Sequence, residues 1–128
     1  MSAVASGAFA VEIVPTTPEL DGAINRFTLR KSFTGDLEGS GSGLMLSGGD
    51  PASGSAGYVA IEVVRGTLQG KSGQFALMQL GTMHRGEHEL RYDIVPGSGT
   101  DELAGITGAL ALEIDAAGTH HFTLTYDL

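Results

Sequence analysis

Along this chain apolar and polar residues alternate with a period of two, and no stretch sustains the period of 3.6 that a helix requires. The alternation predicts eight strands: Ala3 to Ile13, Asn25 to Thr34, Asp36 to Ser47, Gly57 to Gln69, Gln74 to His84, His88 to Val95, Gly105 to Asp115 and Thr119 to Asp127. Turn-forming stretches such as "TG", "GKSG", "RGE" and "DAAG" separate them. Most connections are short, so neighbouring strands run antiparallel. Such a series forms a sandwich or closes into an up-and-down barrel. The run from Gly57 to Gln69 would span roughly 40 Å at about 3.3 Å per residue, long for a sandwich strand but natural for one tilted around a barrel. Glycines inside the strands, at Gly39, Gly41, Gly43, Gly66, Gly81 and Gly108, supply the kinks that closure needs. The expected fold is therefore all-β: an eight-stranded antiparallel up-and-down barrel, one domain over residues 1–128.

The turns also suggest a register. With Lys71 and Ser72 as the loop of "GKSG", Leu68 faces Phe75, Val64 faces Gln79 and Glu62 faces Gly81. With Gly86 and Glu87 as the loop of "RGE", Gly81 faces Tyr92. At the last hairpin Leu112 and Leu124 share an apolar face, while Glu113, His121, Thr123 and Thr125 point away. On this reading the carboxylate of Glu62 points into the barrel, near Gln79 and a Tyr92 ring accommodated by Gly81. A slip of one residue would turn Glu62 outward, but would bring Arg65, Gln69 and Gln74 inside. A buried carboxylate needs partners or takes up a proton. Lys31, which interrupts Phe27, Leu29 and Phe33, is a candidate partner, and a two-residue "TG" hairpin would set it opposite Glu38.

Composition narrows the chemistry. Fifteen acidic residues against seven basic ones give a net charge of -8, which disfavours nucleic-acid and anionic-membrane partners. Cysteine is absent, so disulfides and thiolate chemistry are excluded. The N-terminus shows neither a basic segment nor a continuous apolar run, and a cytoplasmic location is expected. His84 and His88 flank a turn and His120 and His121 are adjacent, without the spacing or companion ligands of a metal site, so no metal is assigned. The glycine-rich "GSGSG" and "GSGTDELAG" lack the lysine and the strand–helix context of phosphate loops. No nucleophile elbow is present, and no cofactor is expected.

The stretches "KSFTGDLEGSGSGLML", "GSAGYVAIEVVRGTLQGKSGQFALMQLGTM" and "VPGSGTDELAGITGALAL" resemble a family of small bacterial proteins of unknown function whose fold looks like the allene oxide cyclase barrel. The resemblance runs from about Phe9 to the C-terminus. It implies the same eight-stranded barrel and supplies no activity. In allene oxide cyclases and dirigent proteins the cavity holds a reactive, largely apolar intermediate, and by analogy Glu62 and Glu38 are the first places to look.

The resulting expectation is a barrel that binds a small, mostly apolar molecule, with Tyr58, Glu62, Gln79, Tyr92, Tyr126, Lys31 and Glu38 as candidate ligand-binding residues. One alternative is a cofactor-independent isomerase or cyclase with Glu62 as acid or base. The other is a purely structural module that self-associates. Val59, Ile61, Val63, Met78 and Leu80 fall on the outward face, where they predict a homo-oligomer, most simply a dimer.

Overall fold

The computed structural model describes residues 2–128. Its strands are β1 (Ala3–Pro15), β2 (Asn25–Gly35), β3 (Leu37–Asp50), β4 (Ser55–Leu68), β5 (Lys71–His84), β6 (Glu87–Ile94), β7 (Thr107–Ile114) and β8 (His120–Asp127). Each strand pairs antiparallel with the next, and β1 pairs with β8 to close the barrel. The expected up-and-down barrel is the observed fold.

The hairpin registers differ in detail from those expected. The loop between β4 and β5 is Gln69–Gly70, and that between β5 and β6 is Arg85–Gly86. All four residues have positive φ, at 46°, 88°, 52° and 81°. Two-residue loops with both residues left-handed favour glycine in second place, which "QG" and "RG" provide and "KS" does not. Hence Leu68 pairs with Lys71, Val64 with Phe75, Glu62 with Leu77, and Gln79 with Tyr92. In the last hairpin Leu112 pairs with Phe122 and Leu110 with Leu124. In these three hairpins the pairing shifts by an even number of positions, so their inward face is unchanged, whereas the β2–β3 pairing shifts by an odd number. Across β2 and β3, Lys31 pairs with Gly41 and not with Glu38.

The lower end of the barrel, where the β2–β3 and β4–β5 turns lie, is filled. Leu37, Leu68, Phe75, Leu77, Phe122 and Leu124 are buried there. The connection from β6 to β7 plugs it further. Thr100 N–H donates to the Gln74 carbonyl and Ala76 N–H to Ser98 Oγ, which tie the connection to β5. Leu103 and Ile106, both fully buried, descend from it into the core. The glycine-rich segment from Pro96 to Gly105 is thus a stopper, not a phosphate loop. Among the described residues no helix is long and apolar enough to cross a membrane.

The upper end is different. β6 and β7 share one ladder pair, Asp93 with Ala109, so above that pair the two strands separate. Leu90 and Ile114, both on inward-facing positions, are accordingly 41% and 56% exposed. The barrel is solid below and open above.

Candidate functional site

Three charged or phenolic side chains meet at mid-height. Lys31 from β2, Glu62 from β4 and Tyr92 from β6 are all buried, Glu62 to 1% exposure. The Lys31 ammonium donates to Glu62 Oε1 at 3.0 Å and to Tyr92 Oη at 2.7 Å, and Tyr92 Oη–H donates to the same Glu62 Oε1. Glu62 Oε2 lies 2.9 Å from Nζ as an ion-pair contact, outside hydrogen-bonding geometry. The ammonium also sits 4.5 Å from the centre of the Phe9 ring and 5.1 Å from that of Tyr92, a favourable placement of a cation over aromatic faces.

The sequence makes room for this cluster with glycine. Gly41 stands opposite Lys31 on one side, and Gly43 stands opposite Glu62. Gly41 and Gly43, two inward positions of "GSGSG", are therefore space for their neighbours' charged side chains. Burial lowers the pKa of Lys31, outweighing the attraction of Glu62. Burial, reinforced by the charge of Glu62 and its hydrogen bond, raises that of Tyr92. The cluster is a closed ion-pair triangle whose charges cancel.

Above it on the same face of β4 stands Tyr58, separated from Glu62 by the buried Ala60. The Tyr58 hydroxyl donates to Gln79 Oε1 at 2.9 Å, and its ring lies across Gly81, the residue it pairs with on β5. A Cβ at Gly81 would come within 2.2 Å of the ring. It is Tyr58, and not Tyr92, that occupies the space Gly81 leaves. Burial and the charge of Glu62 raise the Tyr58 pKa.

The open end forms a cavity of about 680 Å³ whose floor includes Tyr58 and Gly81. Phe27, Met45, Met83, Leu90, Leu112 and Ile114 form most of its apolar wall, and His88 and Glu89 stand at the rim beside the β6–β7 opening. Of the candidate residues, Tyr58 lines the cavity; Gln79 supports it; and Lys31, Glu62 and Tyr92 form the sealed layer beneath. Two candidates lie elsewhere. Glu38 is exposed on the outer face, paired with Thr67, because the β2–β3 register sends it outward. Tyr126 is at the plugged end, donating to Gln69 Oε1. Met45, Leu112 and Ile114 line the wall without being among the candidates; their inward place in the alternation is the signal the sequence carries for them. Among the described residues no three His, Asp, Glu or Cys side chains gather as a metal site.

The chain matches the family described as protein of unknown function DUF3224 over residues 5–126. It also matches the crystal structure of a protein of unknown function from that family, from Shewanella oneidensis MR-1. The two are 36% identical, with a TM-score of 0.93 over 100% of this chain and 98% of the other. No curated protein matches. The extent of the family match and the identity to a solved member together establish that this chain belongs to the DUF3224 family.

Proposed function

We propose that this protein binds a small, mostly apolar molecule in the open upper half of the barrel, admitted between β6 and β7, with the Tyr58 hydroxyl as its polar contact. The observation that carries the reading is the cavity of about 680 Å³ with its largely apolar wall. Ligand pockets usually occupy about 300–1,000 Å³ and combine an apolar lining with a few placed polar groups. The Lys31–Glu62–Tyr92 layer lies buried beneath the cavity and exposes no free charge to the ligand. The resemblance to allene oxide cyclase barrels is a precedent for such a cavity.

Binding is favoured over the isomerase or cyclase reading by the position of Glu62. It is 1% exposed and not part of the cavity wall, whereas an acid or base must come within hydrogen-bond reach of its substrate. A purely structural barrel would have no use for an open upper half. Native mass spectrometry and thermal shift against a fractionated metabolite extract test the proposal. A retained apolar species that raises the melting temperature is expected. Absence of any retained species across fractions, with no shift, would count against it.

A further inference from the structure

The outer face of β3, β4 and β5 carries two parallel apolar rows. In one, Leu46 pairs with Val59 and Val59 with Leu80; in the other, Leu44 pairs with Ile61 and Ile61 with Met78. All six side chains are 38% to 59% exposed. The expected patch is present and extends onto β3, while Val63 is only partly exposed. A continuous apolar surface of this kind on a folded protein marks an interaction site. Leu44, Leu46, Val59 and Ile61, with Arg26 and Glu19 at the edge, also form a groove of about 470 Å³.

Charges at the ends of the rows identify the partner. The first row continues from Leu80 to Arg91 on β6, and the second from Met78 to Asp93. Arg91 and Asp93 lie 3.4 Å apart, with the arginine side chain 80% exposed and so available to a second carboxylate. We propose that this face joins two copies of the chain about a two-fold axis running across the strands, midway between the rows. That axis lays one copy's first row on the other copy's second row. Leu46, Val59 and Leu80 then meet the partner's Leu44, the partner's Ile61 and the partner's Met78. Arg91 meets the partner's Asp93, and the reverse pair forms by symmetry. An axis parallel to the strands would instead bring Arg91 toward Arg26, a like-charge contact. The chosen axis is the self-complementary one, and it aligns the two sheets face to face.

Light scattering on the full chain at micromolar concentration tests the inference. A dimer is expected, with a melting temperature that rises with protein concentration. Ile61→Lys should give a monomer of unchanged circular dichroism whose melting no longer depends on concentration. Arg91→Asp and Asp93→Arg should each weaken the dimer at least tenfold, and the double swap R91D/D93R should recover it. A monomeric wild type, or an Ile61→Lys dimer of undiminished affinity, would overturn the interface. A double swap as weak as the single variants would overturn the axis.

Discussion

Gly43 of β3 lies opposite Glu62 of β4, and a Cβ built on Gly43 would stand 2.7 Å from the Glu62 Cβ and 2.4 Å from the Ile61 carbonyl oxygen. The glycine is therefore part of the ion-pair layer. Gly43→Ala should destabilise the fold by about 1–3 kcal/mol, the usual cost of forcing atoms into a packed site. At Gly48, on the same strand, an added Cβ would meet nothing within 4 Å. Urea unfolding of both alanine variants should show the loss at Gly43 alone.

Removing one member of the buried pair should cost far more than removing both. Glu62→Leu leaves Lys31 as a buried charge without its carboxylate, a change that typically costs about 3–5 kcal/mol. Lys31→Met with Glu62→Leu should recover most of that, since an apolar pair of similar volume is often neutral or stabilising. A double variant as unstable as the single one, measured by the same urea unfolding, would refute this account of the layer.

The single variant also carries a pH signature. The Lys31 pKa is already lowered by burial, with Glu62 acting in the opposite direction, so losing Glu62 lowers it further. Between that depressed value and the unfolded value of 10.5 the unfolded chain binds more protons, and stability rises with pH. Chemical denaturation from neutral to alkaline pH should show the deficit of Glu62→Leu shrinking as pH rises. A constant deficit would contradict the buried ammonium.

Tyr92 acts in the other direction. Its pKa is raised above the ordinary phenol value of 10.0, so its contribution is fully present below about 10 and is lost as pH climbs toward the folded value. Tyr92→Phe should be less stable than wild type at neutral pH by about 1–2 kcal/mol for the lost hydrogen bonds. The gap, followed by denaturation across the alkaline range, should narrow above a pH of about 10. A gap that widens there would show that the phenol is not held protonated by the fold.

The alternation of residues makes the barrel and its inward face legible in the sequence, and it places Glu62 inside. The turns are harder because glycine occurs at several adjoining positions. The left-handed pairs Gln69–Gly70 and Arg85–Gly86 identify themselves only when glycine is required in second place. The partner of Lys31 is hidden by the same difficulty: Glu38 lies on the neighbouring strand but faces outward, whereas Glu62 reaches Lys31 from the strand beyond. Nothing in the local pattern distinguishes the plugged end, which holds Tyr126, from the open end, which holds Tyr58. That difference comes from the β6–β7 connection folding back on β5 and from the parting of β6 and β7 above Asp93.

The cavity itself is tested most directly by fluorescence titration with the apolar dye N-phenylnaphthylamine, using wild type, Ala56→Trp and Ile61→Lys. Ala56 lines the cavity, whereas Ile61 lies on the outer face. Saturable binding of one dye per chain is predicted for wild type and Ile61→Lys, with at least a tenfold loss in Ala56→Trp as the indole fills the space. Binding that survives Ala56→Trp and disappears in Ile61→Lys, or no saturable binding to wild type, would contradict a ligand site inside the barrel.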